Sequence, residues 1–175
     1  HQQQMEEQRR PVILPPTITT PEREQAIATV EQRPDAAIRV TRSKAAEWGV
    51  DPAKVGVMGS SAGGHLASMC ATLWEEKFSQ ETNDAVDQLA CRPDFAVLVY
   101  PVIEMKDNWG HGGSRRRLLG ENPDAALAER VSTERRVNGK TPPCFLVHAA
   151  DDGGVPVRNS LEFAARCAEN KVPVV

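Results

Sequence analysis

The chain has 175 residues and a formal net charge of −3. That balance gives no general attraction to nucleic acid or to an anionic membrane surface. No apolar run approaches the ~20 residues a membrane-spanning helix needs, and the longest, around Phe95 to Val102, is strand-sized.

The length suits one domain with a real core, burying roughly 70% of the surface of the unfolded chain. His1 rather than Met opens the sequence, so it reads as a fragment or a processed product. The missing signal sequence therefore carries little weight. Cysteines stand at 70, 91, 144 and 167. None of them has C-x-x-C spacing, which argues against a zinc site or a dithiol motif, and they read as small buried residues.

Residues 1–33 differ from the rest. Gln2, Gln3, Gln4 and Gln8 sit among charges, and Pro11, Pro15, Pro16 and Pro21 follow. Such a segment is poor in core-forming residues and is expected to be extended or disordered, at least to Thr20. A short helix over Glu22–Glu31 fits the pattern, with Thr20 as its cap and Pro21 at its first position.

From Pro34 the pattern becomes alternating. Asp35 caps a predicted helix that runs to about Trp48, with Ile38, Ala45 and Trp48 on one face and Gly49 ending it. Asp51-Pro52 is a turn, and Val55–Met58 is a short buried strand. Ala62–Trp74 reads as a helix with Leu66, Met69, Cys70, Leu73 and Trp74 on one side. Phe95–Tyr100 is a continuous apolar strand, as in a parallel sheet covered on both faces. Residues 104–117 are polar and glycine-rich and read as a loop, and a short helix is predicted over Asn122–Val131. Cys144–Ala149 is another strand. Val157, Leu161, Ala164 and Ala168 mark a helix ending near Glu169, and Val172–Val175 looks like the start of one more strand. Strands alternating with helices predict a parallel α/β sheet with its functional groups at the carboxyl ends of the strands.

The pattern G-x-S-x-G fits one frame, Gly59-Ser60-Ser61-Ala62-Gly63. A predicted strand precedes it and a predicted helix follows, which is the context this motif requires. Ser61 is the candidate nucleophile, held at a sharp turn with its hydroxyl raised above the sheet. The small residues two before and two after it let the chain turn without clashes. The Ala62 N–H, in the first turn of the helix, is a free donor for an oxyanion. A glycine-rich turn without chemistry is the plainer alternative.

Chain order in such sheets is Ser, then Asp or Glu, then His. The stretch C144-F-L-V-H-A-A-D-D-G-G-V-P-V157 supplies the acid at a strand end. Asp152 is the candidate, with Asp151 second. Its role would be to hold a histidine in the right tautomer and to stabilise the imidazolium. A turn built from Asp and Gly explains the same residues without catalysis.

Four segments together carry a resemblance: "VGVMGSSAGGHLAS", "DFAVLVYPVI", "GSRRRLLGENPD" and "PPCFLVHAADDGGVPVRNSLEFAARC". They resemble the α/β-hydrolase esterases, in particular the acetylxylan-esterase-like carbohydrate esterases, over about residues 34–175. The resemblance implies a three-layer α/β-hydrolase sheet, incomplete here, with the segment 1–33 set apart from a partial domain over 34–175. It also implies hydrolysis of acetyl or short acyl esters of carbohydrate through an acyl-serine, with no metal or organic cofactor. The family nucleophile falls on Ser61 and the family acid on Asp152. Ser60 stands where such esterases often carry a bulkier aromatic residue.

Two departures stand beside the match. The family histidine follows the acid in a Gly-His-Gly-like segment that this sequence does not reach. The early His-Gly-Gly or Pro-Gly-Gly loop, which supplies a second oxyanion donor, has no counterpart before Ser61. Among the histidines present, His65 is expected to face the body of the fold and His148 reads as structural. His111 is the one local candidate to approach Ser61. H111-G-G-S114 looks like an oxyanion loop but follows the nucleophile, so the similarity reads as coincidence. Arg115-Arg116-Arg117 reads as a solvated face. Trp109 fits either a sugar or acyl pocket or plain packing.

Three functional readings follow. The first is a serine esterase with a small-molecule or carbohydrate ester substrate. The others are a catalytically inactive fragment of such an enzyme, and a peptidase or lipase on the same fold. Nucleic acid and membrane partners are not expected, whereas self-association through an exposed sheet edge is.

Overall fold

The computed structural model describes residues 34–76, 84–107 and 109–175. The segment 1–33, with the helix expected at Glu22–Glu31, lies outside the described residues. Helix α1 (Pro34–Ser43) and the short α2 (Ala45–Trp48) occupy the stretch expected as one helix. The break at Lys44 follows two side chains that bond back to the helix: Thr41 Oγ1 donates to the Ala37 carbonyl and Ser43 Oγ to that of Val40. Such back-bonding loosens a helix end. Gly49, at φ +65°, ends α2 as expected, and the Val50 N–H donates to the Ala45 carbonyl in a Schellman-type stop. Ile38 and Ala45 are buried, but Trp48 of the predicted face is exposed.

Three strands follow: β1 (Val57–Ser60), β2 (Ala96–Val99) and β3 (Cys144–Val147). They pair in parallel in the order β1-β2-β3, with Ser60 opposite Val99 and Val99 opposite Val147. The last residues extend this sheet. Val174 bridges Cys144 in parallel, and the Leu146 N–H donates to the Val175 carbonyl at 2.8 Å. Of the strand expected over Val172–Val175, only this bridge at Val174 is formed.

Helix α3 (Ala62–Thr72) packs on β1 and β2 through its small residues. Gly64, Ala67, Ser68, Ala71 and Thr72 are buried, while Leu66, Met69 and Cys70 are only half-buried. Close approach selects this face, since a Cβ on Gly64 would lie 2.7 Å from Pro101 Cα. Helix α4 (Gly112–Leu119) lies within the expected loop of residues 104–117 and runs past its end. Its two leading glycines and three arginines hide it from hydropathy. Helix α5 (Ala125–Arg130) and a 3₁₀ turn over Thr133–Arg136 lead to β3.

Helix α6 (Arg158–Glu169) buries Asn159, Ser160, Phe163 and Cys167. This is not the predicted stripe: Leu161 is 62% exposed. The polar residues decide the rotation of the helix, as the site geometry shows below.

The larger core cluster joins Ala67, Ala71, Ala96, Leu98, Ile103, Cys144, Phe163 and Cys167, and a second joins Val102, Met105, Val131 and Val155. All four cysteines are free thiols, three of them buried. The sheet's other face is apolar and open among the described residues, with Met58 73%, Phe145 45% and Val147 48% exposed. Among the described residues the parallel sheet therefore carries one helical layer of the three-layer arrangement. No helix among the described residues is long and apolar enough to cross a membrane.

Candidate active site

Ser61 directly follows β1 and serves as the N-cap of α3, with φ 52° and ψ −122°. A serine in this region stores strain of about 1–3 kcal/mol, held only because its surroundings over-determine it. The bonds responsible are visible. The Ser61 N–H donates to Val99 O at 3.1 Å, and the Ser61 carbonyl accepts from Val102 N at 3.0 Å and from His65 N at 3.2 Å. The turn is thereby fixed to the end of β2 and to α3 at once. A Cβ on Gly59 would meet the Gly63 carbonyl oxygen at 2.0 Å, so the turn requires glycine at 59. A Cβ on Gly63 would meet nothing within 4 Å. The second glycine of the motif is thus not demanded by local packing, whereas Gly64 is. Ala62 opens α3, where the first N–H groups have no acceptor within the helix.

After β2 the chain crosses beneath the site as the fully buried stretch Pro101–Met105. Its N–H groups find side-chain partners. Asn159 Oδ1 accepts from Ile103 N at 2.9 Å and from Glu104 N at 3.1 Å, and Ser132 Oγ accepts from Met105 N at 3.0 Å. The buried Glu104 carboxylate in turn accepts from Asp107 N and from Gly110 N. Asn159, Ser132 and Glu104 went unseen in the sequence. An Asn-Ser pair at the start of an otherwise apolar helix face was the available signal.

Asp152 lies in the loop after β3. Its Oδ1 accepts from Val155 N at 2.9 Å and Gly154 N at 2.8 Å. These bonds hold its carboxyl below the usual carboxylate range, with smaller help from the nearby His148 and His111. Asp151 is exposed. Ser61 and Asp152 both stand beyond the carboxyl edge of the sheet. Their strands are two spacings apart, about 10 Å.

The three described histidines are each engaged elsewhere. His65 is buried and its Nε2 donates to Val131 O at 2.8 Å, tying α3 to the end of α5; burial lowers its pKa. His148 Nε2 lies 2.9 Å from Val155 O and 3.6 Å from Asp152 Oδ2, and its Nδ1 lies 2.7 Å from Ser160 Oγ. It braces the acid loop against α6. His111 is the N-cap of α4, its Nδ1 accepting from Ser114 N at 3.1 Å. In the neutral ring that acceptor role puts the proton on Nε2, so no second lone pair is left for a general base. H111-G-G-S114 is therefore a helix start. Trp109 stacks on Arg158, 4.6 Å from guanidinium carbon to ring centroid, next to the acid loop.

The family model BD-FAE matches residues 23–167. The chain belongs to the BD-FAE family. Similar curated proteins include endo-1,4-beta-xylanase B of Butyrivibrio fibrisolvens, 36% identical over 78% of this chain, and an acetylxylan esterase of Xylanibacter ruminicola, 35% identical over 76%. A solved acetyl ester-xyloside bifunctional hydrolase from Caldicellulosiruptor lactoaceticus is 44% identical over 80% of the chain, with a TM-score of 0.75. The chain spans 21% and 26% of the two curated relatives and 51% of the solved one. By fold it is an α/β-hydrolase.

Proposed function

We propose that this BD-FAE sequence encodes a serine esterase that removes acetyl or other short acyl groups from carbohydrate. Ser61 Oγ attacks the acyl carbonyl carbon and the Ala62 N–H holds the developing oxyanion. A histidine takes the serine proton and returns it to the departing sugar hydroxyl, with Asp152 orienting the ring. Water then releases the acid from Ser61. The observation that carries this reading is the strained Ser61 turn, seated between the end of β2 and the start of α3. The relatives named for acetylxylan and acetyl esters support the substrate class.

His65, His111 and His148 are all committed to structural bonds, which favours a second reading in which the described residues fold as a hydrolase but do not activate Ser61. Acetate release from acetylated xylo-oligosaccharide separates the two when imidazole is added as an external base. The esterase reading expects release that rises at least tenfold with imidazole and vanishes in Ser61→Ala. Release that is the same in both proteins would overturn it.

A further inference from the structure

In the arginine run of α4, Arg116 and Arg117 are exposed, as a solvated face would be. A cavity of about 260 Å³ opens beside the first turn of α3, walled by Ala62, His65, Met105, Ser114, Arg117 and Leu118. A second, more polar depression is lined by His111, Gly113, Arg116, Arg117 and Glu121. Arg117 stands in the wall of both.

The partners of these arginines set them apart. Arg39, Arg42, Arg130, Arg135, Arg136, Arg158 and Arg166 each pair with a carboxylate. Arg116 reaches Glu121 only at 3.9 Å. Among the described residues no carboxylate or carbonyl partners Arg117, and the buried Nε of Arg115 has no hydrogen-bond partner. A guanidinium on a partly apolar wall, without an internal anion, is suited to bidentate capture of a carboxylate from outside. This cavity adjoins Ala62, whose N–H faces the reacting carbonyl in the proposed reaction. An anion bound there would sit on the substrate close to its ester.

The geometry points to Arg117 as a specificity residue that takes a carboxylate of the substrate, carried on a uronic-acid unit next to the esterified sugar. Apolar Met105 and Leu118 then line the ring's less polar face, and Arg117 forms the fork. This assignment rests on the esterase reading, because it treats the cavity as receiving substrate.

Calorimetric titration of the Ser61→Ala protein tests it without turnover. The probes are a glucuronic-acid-substituted xylotriose, neutral xylotetraose, and monomethyl succinate, which places the carboxylate on the acyl side instead. The acidic oligosaccharide is expected to bind at least tenfold tighter than the neutral one. That preference should fall below threefold when Arg117→Gln is added, survive in part in Arg117→Lys, and shrink between 0.05 and 0.5 M salt (screening). Equal binding of the two sugars, a preference unchanged by Arg117→Gln, or no binding of the acidic sugar would overturn the assignment. Tight binding of monomethyl succinate with no difference between the sugars would overturn its placement on the sugar. Ser61 reactivity is measured separately. Loss of that reactivity with the preference intact would count against the esterase reading alone, and the reverse against Arg117 alone.

Discussion

Gly63 lies so close to Gly59 that a Cβ on Gly59 would stand 2.0 Å from the Gly63 carbonyl oxygen, whereas a Cβ on Gly63 would meet nothing. The two motif glycines are therefore not equivalent. Gly59→Ala is expected to cost at least about 3 kcal/mol of stability, since backbone must move to admit the methyl. Gly63 lies in α3 without a positive φ. Gly63→Ala should be neutral or stabilising by up to about 1 kcal/mol, from helix propensity. Denaturant unfolding of the two variants beside the parent checks this, and equal destabilisation would contradict it.

Asn159 satisfies two buried N–H groups of the crossing stretch, those of Ile103 and Glu104. Asn159→Ala leaves both without a partner, which should cost about 2–5 kcal/mol. The same unfolding measurement decides; a loss under 1 kcal/mol would show that those donors find other partners.

Glu134 is buried with its Oε2 unpartnered, and burial, aided by the charge of Glu104, pushes its carboxyl up to about 7. In the unfolded chain it titrates near 4.5. Between these values the folded state holds a proton that the unfolded state has lost. Stability therefore falls as pH rises from about 4.5 to 7 and this contribution levels off above that range. Glu104, shifted the same way by burial, adds to the trend. Unfolding free energies from pH 4.5 to 8 should show the decline, and Glu134→Gln should flatten most of it. An unchanged slope in the variant would refute the assignment.

Met58, Phe145 and Val147 form an open apolar face, and no described strand pairs with the outer edge of β1. Faces and edges of this kind associate. Light scattering after size exclusion should show species larger than a monomer whose share grows with concentration, and the double variant Met58→Lys, Val147→Lys should shift them towards monomer. A clean monomer of the parent chain at high concentration would contradict this.

The backbone geometry of the candidate site was legible because it is local. The turn around Ser61 follows from small residues between an apolar strand and a helix, and Asp152 follows from a strand end rich in Asp and Gly. Burial faces were less legible. On α3, backbone contact at Gly64 and Pro101 turned the small residues inward and left Leu66 and Met69 half-buried. On α6, Asn159 had to reach two distant N–H groups, so Leu161 turned outward. Such constraints come from partners about 40 to 55 residues away in sequence, beyond any window of hydrophobic periodicity. Helix α4 escaped notice for a different reason. Its cap is a histidine and its first turn is glycine, both poor helix signals.

The most direct test of the account is mass-spectrometric mapping of a fluorophosphonate adduct on the folded chain, at increasing imidazole, beside Ser61→Ala and His111→Ala. The account predicts an adduct on Ser61, at least tenfold faster with imidazole, lost in Ser61→Ala and unchanged in His111→Ala. An adduct on another residue, or none on Ser61 at any imidazole concentration, would contradict it.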